Sequence, residues 1–150
     1  KIIPINNFNH TSVFALMSRN EDFDNATRFM KMFSDALEMD CDFAYLNDKI
    51  NPENLEEFKE QISESELVIF PIFLKNYTEA QSIKFPPAFS WIIDELSEGK
   101  KSISILFGSP YYENQLNTNS KILTYSDSYS SLASVIVKLS NRNLDWISNE

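Results

Sequence analysis

The chain has 150 residues, the size of one domain, and its 43% hydrophobic and 13% aromatic content excludes a disordered segment. Twenty-two acidic against 13 basic side chains give a net charge of −9, which argues against nucleic acid and anionic membranes, since lysine and arginine hold both. The single cysteine, Cys41, excludes an internal disulfide and a cysteine-based zinc site, and no apolar run reaches the roughly 18 residues of a membrane span.

Residues 12–17, Ser-Val-Phe-Ala-Leu-Met, read as a buried strand. A helix over 22–37 follows, with Phe23, Ala26, Met30, Phe33 and Leu37 spaced as one apolar stripe. Glu21, Asp22 and Asp24 at its start suit the positive end of a helix dipole. Residues 42–46 form a second short strand. Asn51-Pro52-Glu53 then supplies an N-cap, a proline at the first helical position and an acid, and Leu55, Phe58 and Ile62 form that helix's stripe. Residues 67–70 make the third strand. Its apolar run continues through Phe73, and Pro71, which cannot donate a ladder hydrogen bond, is expected at the carboxyl end.

A third helix is expected over 87–98, stopped by Gly99. Residues 102–107 are strand four, closed by Gly108-Ser109-Pro110, and 121–125 are strand five. Leu132, Val135, Ile136 and Leu139 line a final helix. Strand–helix alternation with long crossovers requires a parallel sheet covered on both faces. The expected fold is therefore one α/β domain over 1–150, a three-layer α/β/α sandwich of flavodoxin-like or Rossmann-like type with a mostly parallel sheet of five or six strands. Ligands of such sheets gather at the carboxyl edge. Here that edge carries 19–22, Asn47 and Asp48, 75–78, 109–112 and 126–128.

The acidic charge is uneven: residues 1–66 hold 14 acids and six bases, and residues 67–150 hold eight and seven. The plain reading is a solvated helical face. No nucleotide or flavin cofactor is expected, because two glycines, Gly99 and Gly108, cannot build the loop that lets backbone approach a pyrophosphate. The bulky, acidic 18–22 loop would also repel phosphate. No catalytic residue and no metal ligand set stands out. His10 reads as a surface residue, Cys41 as a small core residue, and Asp22/Asp24 and Asp40/Asp42 as solvated pairs without the glycine of a calcium loop. Glycosylation-type triplets at Asn9, Asn25 and Asn76 are what an Asn- and Ser-rich chain yields by accident. Glu79 and Glu113 are candidates for a single carboxylate contribution at the carboxyl edge.

Three stretches carry a family resemblance: Leu-Val-Ile-Phe at 67–70, Ser-Ile-Ser-Ile-Leu-Phe-Gly-Ser-Pro-Tyr at 102–111, and 122–139 with its Thr-Tyr before a helix. Together they resemble the C-terminal domain of glycoside hydrolase family 3, in which a strand ends in Gly-(Asn/Ser)-Pro-Tyr and a second ends in Ala/Thr-Tyr. Lys-Ile-Ile-Pro-Ile at 1–5 resembles the segment that enters this domain from the catalytic barrel. The chain departs from the family where Ser140-Asn141-Arg142 follows Leu139 in place of Leu-Phe-Gly, and in its few glycines. The resemblance implies a non-catalytic accessory domain of a bacterial, carbohydrate-metabolising hydrolase that is periplasmic or secreted. Its partner would be the barrel of the same parent chain, which carries the nucleophile and touches carbohydrate directly. A start at Lys1 without methionine or signal peptide fits such a piece. Ser109, Pro110, Tyr111 and Tyr112 are the expected interdomain or rim contacts, one tyrosine buried against the final helix and the other facing the barrel. The alternative is a free-standing flavodoxin-like domain that binds a small ligand or another protein.

Overall fold

The computed structural model describes residues 2–3, 8, 10–37, 41–74, 85–108, 115–124, 126, 128–140 and 144–145. In chain order the elements are β1 (Ile2–Ile3), β2 (Thr11–Met17), a 3-10 turn (Asn20–Asp22), α1 (Phe23–Leu37), β3 (Cys41–Leu46), α2 (Pro52–Gln61) and β4 (Leu67–Phe73). Then follow α3 (Pro87–Leu96), β5 (Lys101–Phe107), β6 (Ser120–Thr124), α4 (Tyr129–Ser140) and β7 (Leu144–Asp145). Five strands form one parallel sheet in the order β3-β2-β4-β5-β6. Counting only these five, the order is 2-1-3-4-5, the doubly wound arrangement of flavodoxin-like folds. The expected α/β sandwich is what forms. Apart from this sheet, β1 and β7 pair antiparallel, Ile2 with Asp145 and Ile3 with Leu144.

Both faces of the sheet are buried. On one face Val13, Ile69, Phe73, Ile105 and Phe107 meet Ala26, Phe29, Met30 and Phe33 of α1 and Leu132, Val135 and Leu139 of α4. On the other, Phe14, Leu16, Val68, Phe70 and Ile72 meet Leu55 of α2 and Phe89, Ile92, Ile93 and Leu96 of α3. Alternating residues of each strand thus feed opposite cores, which explains why β4 is buried along its whole length.

Several local expectations hold. Asn51 caps α2 by accepting from the Asn54 N–H at 2.9 Å, with Pro52 as the first helical residue. Gly99 sits in the turn after α3 with φ of +74°, a conformation glycine adopts without a Cβ penalty.

Others are corrected. Phe23 does not join the buried stripe of α1; it is 46% exposed and packs on Tyr45 of the edge strand, ring centroids 4.9 Å apart. Phe29 takes its place, because a four-residue face of Ala26, Phe29, Met30 and Phe33 fits the sheet better than one drifting to the helix ends. Pro71 lies inside β4, not at its carboxyl end. Pairing with β5 runs unbroken through Pro71 opposite Ile105, whereas pairing with β2 skips Phe70 and Pro71 and resumes at Leu16 and Ile72. The missing N–H is therefore accommodated by a local gap toward β2. The connection from β5 to β6 contains no α-helix among its described residues, so four helices serve five strands.

Phe107 stacks on Phe73 at 4.7 Å and meets Phe29 edge-on at 5.5 Å, with 1% exposure. Phe107→Ala is expected to cost about 3–5 kcal/mol in urea or thermal unfolding, against less than about 1 kcal/mol for Phe23→Ala.

Across α2 and α3, Lys59 Nζ lies 3.4 Å from Glu95, 3.7 Å from Glu56 and 4.0 Å from Glu98. Burial pulls its pKa down, but Glu56, Glu95 and Glu98 outweigh that and hold it above the ordinary lysine value. A raised lysine pKa contributes stability that is complete below the unfolded value, about 10.4, and is lost as pH rises through the folded value. The melting temperature of Lys59→Met is accordingly expected to fall below wild type at pH 8, and the difference to shrink as pH rises through the folded pKa of the lysine.

Candidate functional site

At the carboxyl edge, the loops after β2 and β3 enclose a cleft of about 350 Å³ lined by Met17, Ser18, Arg19, Asn20, Phe23 and residues 47–49. It is built locally. Asn47 Oδ1 accepts from the Lys49 N–H at 2.8 Å and closes a tight turn. On the other wall, Arg19 reaches forward to Asp22 through two hydrogen bonds, Nη2 to Oδ1 at 2.9 Å and Nε to Oδ2 at 3.3 Å, and to Glu21 at 3.4 Å. The Asp22 side chain is 2% exposed. Asp22 is therefore not the solvated acid expected from the sequence; a basic residue three positions earlier draws it inward. The loop's one cation is thereby committed to carboxylates within the loop.

Further along this edge, Gly108 takes φ of +82°, a conformation that favours glycine, and its N–H donates to the Thr124 carbonyl at 3.1 Å. After β6, Ser126, Ser128, Ser130 and Ser131 bond to one another at 2.8–3.2 Å, and the Ser131 N–H donates to Ser128 Oγ at 3.3 Å. These hydroxyls serve the first turn of α4. The rim candidates Ser109, Pro110, Tyr111 and Tyr112, and the carboxylates Glu79 and Glu113, lie outside the described residues, as do 75–78.

A larger cleft, about 690 Å³, opens at the opposite, amino-terminal edge. The turns into β4 and β5 (Ser63, Glu64, Ser65, Glu66; Ser97, Gly99, Lys100, Lys101) and the segment before β6 (Asn117, Asn119) form its walls, with Phe8 at one side. Its floor is polar and tightly bonded. Ser65 Oγ pairs with Ser12 Oγ at 2.6 Å, and Lys100 Nζ donates to the Ser65 carbonyl at 2.6 Å. Asn119 Oδ1 accepts from the Ser102 N–H at 2.9 Å and from Ser102 Oγ at 3.2 Å, and its own N–H donates to Ser102 Oγ at 3.1 Å. Sequence reasoning looked only to the carboxyl edge and missed this cleft. The signal was the serine at alternate positions of an otherwise aliphatic β5, Ser102 and Ser104, since buried hydroxyls need partners. Thr118 Oγ1 meets that of Ser104 at 2.7 Å.

His10 stands at this amino edge as well, half-buried, with Nε2 2.8 Å from Asp42 Oδ2. Asp42 is exposed, as expected, but hydrogen-bonded to His10 and not merely solvated. Cys41 is half-buried against the core on the α1 face. Asn25 lies within α1 and accepts from Arg28 at 3.4 Å. Among the described residues no three His, Cys, Asp or Glu side chains are grouped to hold a metal ion, and no helix is long and apolar enough to cross a membrane.

With this geometry in hand, comparison with solved structures gives a consistent picture. A glycoside hydrolase family 3 β-N-acetylglucosaminidase from Paenibacillus sp. superposes with a TM-score of 0.65 and 13% identity, over 95% of this chain and 27% of that one. The β-glucoside phosphorylase BglX gives 0.60 and 12%, over 91% and 24%. A diflavin flavoprotein A3 from Nostoc sp. gives 0.50 and 12%, over 89% of both chains. The likeness establishes the fold. The chain spans about a quarter of the length of the family 3 structures it matches. No protein-family model and no curated protein matches it in sequence.

Breaking the Arg19–Asp22 pair tests how the 18–22 loop is held. Asp22→Ala is expected to lower stability by about 2–3 kcal/mol, because the part-buried guanidinium loses its two-point carboxylate partner, while Asp24→Ala stays within about 0.5 kcal/mol. Chemical denaturation of both variants checks the difference.

Proposed function

We propose that this chain is the non-catalytic C-terminal accessory domain of a family 3 glycoside hydrolase-like protein, packed on a catalytic barrel and shaping the rim of its sugar site. The observation that carries the reading is the asymmetry of coverage: nearly all of this chain corresponds to about a quarter of a much larger glycosidase. Two features support it. The β1–β7 ladder brings the Ile2–Ile3 and Leu144–Asp145 segments side by side, apart from the main sheet, as suits a domain joined to a neighbour at one place. Gly108 ends β5 at the carboxyl edge with a positive φ, and Ser109, Pro110, Tyr111 and Tyr112, which follow it in sequence, are the proposed contacts with the barrel.

The chemistry of the glycosidic bond belongs, in this reading, to the barrel. Hydrolysis needs a nucleophile or base and an acid set at a defined separation. At the described carboxyl edge Asp22 and Glu21 are instead engaged by Arg19. The parent is proposed to be a bacterial periplasmic or secreted protein that acts on carbohydrate.

The isolated chain, folded by circular dichroism, is expected to release no nitrophenol from aryl β-glucosides or aryl N-acetyl-β-glucosaminides, whereas the full-length protein turns over one of them. Turnover by the isolated chain that is abolished by Glu79→Gln or Glu113→Gln overturns the assignment. So does a full-length protein that is inert on both. The second reading, a free-standing flavodoxin-like domain, draws support from the near-complete mutual coverage with the diflavin protein. Flavin absorbance in the purified protein would favour it, against the bulky 18–22 loop and its committed arginine.

A further inference from the structure

We infer that the amino-edge cleft between the turns into β4, β5 and β6 is a second binding site, one that takes a neutral, polyhydroxylated ligand of one or two sugar units. The decisive side chain is Asn119. It is 6% exposed, yet it lines the cleft. Because the Ser102 backbone N–H is a donor, the carboxamide atom that receives it at 2.9 Å must be the oxygen, so the orientation of Asn119 is set by chemistry. Its Nδ2 amino group then carries two N–H donors. Among the described residues it has no hydrogen-bond partner, and it is not sealed from solvent as Thr11 Oγ1 is. A donor pair held in place at the floor of an open cleft is what a ligand oxygen can use at little reorganisation cost.

The surrounding groups define the class of ligand. Lys100 spends one of its three N–H groups on the Ser65 carbonyl, which anchors the ammonium and leaves two donors. Lys101 is half-buried, and its ammonium has no partner among the described residues. Glu64 and Glu66 also line the cleft, so it holds two positive and two negative side chains and has no net formal charge. A phosphate or polycarboxylate would meet both acids, and a cation both lysines. Hydroxyl groups, which donate and accept, satisfy both sets, and Phe8 offers a ring wall for the apolar face of a pyranose. The volume of about 690 Å³ admits one or two such rings. The cleft lies on the edge opposite to the proposed barrel contacts, so this inference does not depend on the accessory-domain reading.

The test is calorimetric titration of the full-length protein with glucose, cellobiose, N,N′-diacetylchitobiose and, as the contrary probe, inorganic phosphate. Asn119→Asp keeps the acceptor for Ser102, and replaces the two donors by a carboxylate oxygen that carries a negative charge. Lys101→Met removes a half-exposed cation that bonds to no described residue, and so preserves the fold if the buried aspartate does not. At least one sugar is expected to bind, about tenfold more weakly in Asn119→Asp and several-fold more weakly in Lys101→Met, with melting temperature unchanged in the latter. Absence of sugar binding at tens of millimolar, binding of phosphate alone, or sugar binding unaltered in both variants overturns the inference. The last outcome would place any sugar elsewhere in the protein, and none of the three bears on whether the domain docks on a barrel.

Discussion

A parallel strand buried on both faces must find apolar cover on each, and β4 is the strand on which this requirement bears hardest. All seven of its residues are buried, alternately facing the α1/α4 core and the α2/α3 core. Every other element is placed by that demand. β2 and β5 flank it, two helices lie over each side, and the edge strands β3 and β6 complete the sheet. The strand even tolerates a proline at its centre, because the cost of one missing donor toward β2 is smaller than that of losing a fully buried residue from the middle of the sandwich.

The two edges of this sheet have different chemistry for a structural reason. At the carboxyl edge, charge is consumed locally: Arg19 binds the two acids that follow it, and the serines after β6 serve the start of α4. At the amino edge the segment before β6 meets the first half of β5. Ser102 and Ser104 are bonded to Asn119 and Thr118 of that segment, which leaves a polar floor where a helix would have left an apolar one.

The acidity of residues 1–66 likewise resolves into particular arrangements. Asp22 is buried against Arg19, Asp42 meets His10, and Glu56 joins Glu95 and Glu98 around Lys59 to tie α2 to α3. What remains is a solvated surface, as the composition suggests, but the three basic residues concerned hold loops and helices together. Phe43 and Tyr45 on the outer strand β3 are each more than a third exposed and are partly shielded by Phe33 and Phe23, ring centroids 6.0 and 4.9 Å away.

Much of this was legible in the amino-acid sequence. Strand and helix identities, the Asn51-Pro52 cap, the positive-φ glycines and the parallel α/β class all follow from local patterns: apolar period, N-cap chemistry and the φ freedom of glycine. Those signals act within a few residues, and a one-dimensional reading captures them. Strand order, the place of Pro71 inside β4, the exposure of Phe23, the burial of Asp22 and the amino-edge cleft were decided only in three dimensions. Each depends on which distant segment lies alongside. Pro71 is central because β5 continues its ladder, and Asn119 lines a cleft because Ser102, 17 residues earlier in the chain, holds its oxygen. Sequence spacing carries no record of such meetings, since they are set by the packing of the sheet against its helices and by the need to give buried polar atoms a partner.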